Sequence, residues 1–162
     1  MTYKIWIRLS IILLVLNGCT PVAPNLNDTT HLSSDTVSIN ENSYGDGNYN
    51  SSSDNFKSVY FNFGEYGISS KMDTLVEYNA QNANTLAGQI KIEGNCDEFG
   101  TDEYNYALGL KRAKAVKDAL VSQGVDTSKI LIVSFGESSP VCVEPSDSCY
   151  DQNRRVDIRL VQ

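Results

Sequence analysis

The sequence predicts an α+β domain, one four-stranded sheet with helices packed on it. Four short segments, 59–63, 90–93, 130–135 and 156–161, are rich in β-branched and aromatic residues or alternate apolar with polar ones, which marks strands. Two longer segments, 71–87 and 102–123, repeat apolar residues at helical spacing and stop at Gly88 and Gly124. Strands alternating with helices place the helices on the sheet and require some parallel pairing through right-handed crossovers.

Each element has its own warrant. Val59-Tyr60-Phe61-Asn62-Phe63 alternates in part and opens the sheet. After a loop over 64–70, Ser69 or Ser70 caps the first helix, whose inward stripe reads Met72, Leu75, Asn79, Asn82 or Ala83, and Leu86. Ile90-Lys91-Ile92-Glu93 alternates apolar with charged, and 94–101 is loop. Thr101 or Asp102 caps the long second helix, with a stripe of Tyr104, Ala107 or Leu108, Ala115, Ala119 and Leu120; of Tyr104 and Tyr106, at most one faces the core. Residues 136–149 form a loop, 151–154 a helical turn, and Val156, Ile158 and Leu160 supply the inner face of the last strand.

The N-terminus reads differently. Lys4 and Arg8 precede an apolar run from Leu9 to Leu16, then Asn17-Gly18-Cys19. The run falls short of the roughly 20 apolar residues needed to span a bilayer. It fits the h-region of a signal peptide over 1–18. The small residue followed by cysteine resembles a bacterial lipoprotein precursor, which implies cleavage before Cys19 and acylation of its thiol. At roughly 0.8 kcal/mol per buried CH₂, two or three acyl chains anchor stably. In lipoproteins of this kind an aspartate after the cysteine marks inner-membrane retention, so Thr20 implies the outer membrane. Residues 19–55, rich in Asn, Ser, Thr, Asp and Gly, read as a flexible linker with a typical reach of roughly 30–35 Å. Residues 56–162 form the domain, long enough for one modest core.

Composition excludes several classes. Loss of residues 1–18, which hold two basic and no acidic residues, leaves 144 and takes the formal charge from −7 to −9. An acidic chain is a poor nucleic-acid binder, since such binding relies on Lys and Arg neutralising phosphates, and it offers no polybasic membrane surface. With Cys19 committed to lipid, Cys96, Cys142 and Cys149 remain. Export permits disulfides, and Cys142 and Cys149 lie in one loop that a bridge can close, leaving Cys96 a lone thiol. No metal site and no cofactor are expected. The sole histidine, His31, lies in the linker, so no Ser/His/Asp set is available, and a thiol nucleophile at Cys96 lacks a base. The chain does not read as an enzyme.

Gly94-Asn95-Cys96-Asp97-Glu98-Phe99-Gly100-Thr101 is followed by Tyr104-Asn105, Leu108-Gly109 and Lys111-Arg112-Ala113. With Val133-Ser134-Phe135-Gly136-Glu137 and Asn153-Arg154-Arg155-Val156, this resembles the OmpA-like peptidoglycan-binding domain family across 56–162. The resemblance implies a βαβαβ-type fold with one mixed sheet. It implies peptidoglycan as ligand, gripped at the diaminopimelate of the stem peptide by Asp97 and Arg112. Phe63, Asn105 and the pair Arg154 and Arg155, placed in the last helical turn, match further family positions. It implies a noncovalent tether between outer-membrane lipid and the cell wall, with TolB and the Tol system as partners. The alternative is an accessory envelope lipoprotein that uses this fold to bind another protein. Asn95-Cys96 and Asn62 depart from the family pattern, which usually shows His before a small residue and Asp in the first strand.

The chemistry suits that ligand. Diaminopimelate presents an ammonium and a carboxylate on one carbon; a carboxylate accepts from the first and a guanidinium forks onto the second. Asn105, Gly109 and Arg112 share roughly one helical face. Gly109 costs the helix up to about 1 kcal/mol, which points to a close approach by ligand or strand. Taken without the resemblance, Asp97 reads first as a turn-forming loop residue and Arg112 as a solvated charge beside Lys111, Lys114 and Lys117. Likewise Asn105 reads as a backbone partner, Phe63 as core, and Arg154 and Arg155 as partners of acidic residues.

Overall fold

A computed structural model of the chain describes residues 49–161. The expected leader, the lipidation site Cys19 and most of the linker lie outside the described residues. Four strands, β1 (Val59–Tyr60), β2 (Ile90–Asn95), β3 (Ile130–Gly136) and β4 (Arg155–Leu160), alternate with three helices, α1 (Asp73–Thr85), α2 (Asp102–Ser122) and α3 (Asp147–Asn153). The sheet order is β1-β4-β2-β3. β4 runs antiparallel to β1 and β2, while β2 and β3 are parallel across the α2 crossover. This is the mixed four-stranded sheet expected. Among the described residues, no helix is long and apolar enough to cross a membrane.

The core lies between one face of the sheet and helices α1 and α2. Ile90 and Ile92 of β2 and Val156 and Ile158 of β4 meet Val76 of α1 and Leu120 of α2, all almost fully buried. Each such side chain contributes about 1.5–3 kcal/mol. α2 begins at Thr101, whose Oγ1 accepts a hydrogen bond from the Tyr104 amide at 3.2 Å. Gly124, at φ +90°, follows its end. Thr101→Ala should lower stability by about 1 kcal/mol, read as a shift in the urea midpoint at unchanged slope; an unchanged midpoint would mean the cap contributes nothing.

The buried face of α2 keeps Leu108 and Leu120 of the stripe expected and differs in the rest. Asn105, Leu108, Gly109, Arg112, Ala113, Val116 and Leu120 face inward, while Tyr104 and Tyr106 are both exposed. The inward face carries two polar residues and a glycine, so a stripe counted on apolar residues slips by one position. Gly109 has its physical reason here: a Cβ on Gly94 would lie 1.9 Å from the Gly109 carbonyl oxygen. Helix and strand therefore touch backbone to backbone, and Gly109 serves the approach of a strand.

Other boundaries move. β1 stops at Tyr60 because residues 62–65 turn, with the Glu65 amide on the Asn62 carbonyl at 3.1 Å. A 3₁₀ turn, Ser70–Met72, precedes α1; Ser69 stands at its N-cap but makes no side-chain cap bond. β2 extends to Asn95, and α3 starts earlier than expected, with Ser146 Oγ accepting from the Cys149 amide at 3.3 Å. The end of the expected linker is part of the fold. Asn50 Oδ1 accepts from the Ser58 amide at 2.8 Å, and the Ser53 amide donates to Ile158 O at 3.2 Å.

Candidate functional site

The segments that carry the site meet at one end of the sheet. The chain leaving β1, the 96–101 loop after β2, the first turns of α2, and the junction of α3 with β4 all arrive there, because β4 runs antiparallel to both of its neighbours.

Asp97 is buried in the loop after β2. Its Oδ2 accepts from Arg154 Nη1 at 2.8 Å, the side chains being 5% and 9% exposed. Arg154 also pairs through Nη2 with Asp151 and donates from Nε to the Phe61 carbonyl at 3.3 Å. Asp97 Oδ1 takes no hydrogen bond among the described residues.

Arg112 is fully buried. Its guanidinium lies 5.3 Å from the Phe61 ring centroid. It donates to three carbonyls, from Nε to Glu65 at 2.8 Å, from Nη1 to Asn95 at 2.9 Å and from Nη2 to Asn62 at 3.0 Å. Burial pulls its pKa below the usual guanidinium value, and the charge of Arg154 acts in the same direction, while Cys96 and Asp97 oppose it; a guanidinium nonetheless stays charged. Arg112 is thus no solvated helix charge: it ties the turn after β1 to the end of β2, and its charge interacts with that of Asp97.

Cys96 opens the same loop and is buried. Its thiol donates to the Asn105 carbonyl at 3.3 Å and contacts Arg112 Nη1 at 3.5 Å. Burial pushes its pKa up against the lowering effect of Arg112, the direction that favours the neutral thiol. Asn105 is 1% exposed. Its Nδ2 donates to the Phe99 carbonyl at 3.2 Å and to Glu137 Oε2, which anchors the loop.

Aromatic rings border the loop. Phe63 is 41% exposed, so it is not core. Its ring meets Phe99 edge-on at 6.0 Å, and Phe99 meets Tyr150 of α3 at 4.8 Å. Tyr150 Oη donates to Glu98 Oε1 at 3.3 Å.

The structure therefore brings Asp97, Arg112, Asn105 and Phe63 together. It does not bring Arg155. Strand alternation turns Arg155 to the opposite face of the sheet, where its Nε reaches Asp157 Oδ2 at 3.0 Å and Ser51 Oγ at 2.7 Å. Of the two neighbouring arginines, it is Arg154 that reaches Asp97. Nor do the two arginines sit inside the last helical turn: Arg154 is the C-cap of α3 and Arg155 opens β4. Phe99 and Tyr150 were not among the residues expected, and Arg154 was expected only as one of a pair with Arg155. Asp151, three residues before Arg154, was the available signal. Cys142 and Cys149 are joined by a disulfide.

Residues 60–154 match the OmpA family. The chain belongs to the OmpA family. It is 42% identical over 101 residues to the peptidoglycan-associated lipoprotein of Haemophilus influenzae, covering 62% of this chain and 66% of that one. The crystal structure of the peptidoglycan-associated lipoprotein from Burkholderia pseudomallei superposes with a TM-score of 0.61 at 40% identity, over 65% of this chain and 89% of that one. The C-terminal domain of Helicobacter pylori MotB superposes with a TM-score of 0.60 at 24% identity, covering 64% and 82% of the two chains, a likeness of fold alone. The match spans about two thirds of the Haemophilus relative and as little as 39% of those from Brucella. The shared OmpA-family region thus coincides with the part of the chain that builds the site.

Proposed function

We propose that this OmpA-family protein is an envelope lipoprotein that binds peptidoglycan noncovalently through the diaminopimelate of the stem peptide. Acyl chains on Cys19 hold it to the outer membrane, and the Tol system, TolB included, supplies its protein partners. The observation that carries the reading is the half-satisfied carboxylate of Asp97. Arg154 holds Oδ2, while Oδ1 takes no hydrogen bond among the described residues and the pinned guanidinium of Arg112 acts on the same carboxylate electrostatically. An ammonium can dock on Oδ1, and the positive charges of Arg112 and Arg154 favour the carboxylate on the same carbon. The names of the relatives and the order of residues through the loop support the same reading. A weak single site suffices, because the anchor and the repeating polymer raise effective concentration.

The test is a titration of the mature chain in detergent with a diaminopimelate muropeptide, beside one carrying lysine at that position. Wild type should saturate with the first and bind the second at least tenfold more weakly. Asp97→Asn removes a charge-assisted bond of about 1.5–3 kcal/mol, so its Kd should rise about 10- to 100-fold in a protein that still unfolds cooperatively. Equal affinity for both muropeptides would remove diaminopimelate from the reading. No binding by folded wild type would shift the function to a protein partner.

A further inference from the structure

Residues 139–154 do more than connect β3 to β4. The Cys142–Cys149 disulfide ties the loop to α3. Asn153, 6% exposed, closes the same ring from the other end of the helix. Its Oδ1 accepts from the amides of Val141 at 2.9 Å and Cys142 at 3.2 Å, and its Nδ2 donates to the Cys142 carbonyl at 2.7 Å. One short stretch, 141–142, is thus bound to both the first and the last turn of a seven-residue helix.

A helix this short does not hold itself. What it carries, however, faces the ligand loop: Tyr150 packs on Phe99 and bonds Glu98, Asp151 pairs with Arg154, and Arg154 holds Asp97. We propose that the disulfide and Asn153 act together as a positioning clamp that fixes Arg154 against Asp97, so that affinity for ligand depends on the redox state of Cys142 and Cys149. This rests on the reading of Asp97 as the ligand carboxylate. Reduction by a dithiol transfers two electrons and two protons to the bridge, leaving two thiols on the protein and a disulfide in the reductant. The clamp then rests on Asn153 alone, α3 loosens, and Arg154 no longer presents Asp97 in one orientation. Asn153 and the cysteines touch no ligand in this scheme; they act through Arg154.

The experiment reads the free protein first. In the oxidised chain, nuclear Overhauser contacts between the Phe99 and Tyr150 rings and a single sharp Arg154 Nε–H resonance are expected. Dithiol reduction, the Cys142→Ser/Cys149→Ser double variant and Asn153→Ala in the oxidised protein should each weaken the ring contact and broaden or shift the Arg154 signal. Core amides of β2 and α2 should stay in place. The muropeptide Kd should rise about 5- to 10-fold in all three. Should reduction unfold the domain, oxidised Asn153→Ala carries the test. Unchanged ring contacts and Arg154 resonance would overturn the clamp, and so would changed resonances with a Kd within twofold of wild type. If oxidised wild type binds no muropeptide, the proposed function fails, while the resonances still decide whether the clamp holds Arg154.

Discussion

Gly94→Ala lowers stability by about 3 kcal/mol or more. An added Cβ would sit 1.9 Å from the Gly109 oxygen and 2.5 Å from its carbonyl carbon. Neither partner can yield cheaply. Gly94 lies in β2, between β3 and β4, and Gly109 lies on the buried face of α2. Overpacking a core usually costs about 1–3 kcal/mol, and the upper end or beyond is expected where backbone meets backbone. Gly109→Ala should cost less. Its Cβ meets Ser134 Oγ at 2.3 Å, a side chain that can rotate, but also Gly94 O at 2.9 Å, so about 1–2 kcal/mol is expected. Gly67→Ala meets nothing within 4 Å and serves as the control, within about 0.5 kcal/mol of wild type. Urea unfolding of the three variants at unchanged slope is the measurement. A Gly94→Ala midpoint equal to that of Gly67→Ala would show that helix and sheet can separate freely, and the packing described would be wrong.

The same contact shows what the sequence could and could not reveal. Alternation in 90–93 and 156–161 made the sheet legible, because one buried face imposes a period of two. The helix starting at Thr101 was legible from its cap. Its register was not: Asn105, Gly109 and Arg112 occupy inward positions for reasons of bonding and clearance, and a count of apolar residues cannot see either. Asp97, Arg112, Asn105 and Phe63 were legible as a group only through a family resemblance, since the residues that join them are far apart in the chain. Which of Arg154 and Arg155 meets Asp97 was not legible for a different reason. In a doublet of arginines, one residue of phase decides which faces the ligand loop and which faces Asp157, and that phase is set by where α3 ends. Residues 50–54 read as linker because serine and asparagine bury no apolar surface. Their place on β4 depends on hydrogen bonds to Asp157, Ile158 and Leu160, partners more than a hundred positions away.

Arg112→Met should destabilise the domain by about 3–5 kcal/mol, and Arg112→Lys by roughly 2 kcal/mol or more. Methionine fills the space of the stem but takes the guanidinium away from the carbonyls of Asn62, Glu65 and Asn95; Asn62 keeps the Glu65 amide, while each group left unsatisfied costs about 1–3 kcal/mol less any water it regains. Lysine keeps the charge, yet those carbonyls converge from three segments on a planar fork that an ammonium does not reproduce. Thermal unfolding of both variants checks this, and a lysine variant melting with wild type would mean that the three carbonyls do not need the fork. The consequence for function is specific. Arg112 substitutions should abolish muropeptide binding together with the order of the 96–101 loop, because the turn after β1 and the end of β2 lose their common tie. Asp97→Asn should weaken binding while the loop keeps its anchors through Asn105 and Arg112. A loss of binding in an Arg112 variant is therefore not by itself a measure of ligand contact; on the proposed reading the contact is tested at Asp97, and Arg112 is read from stability and binding together.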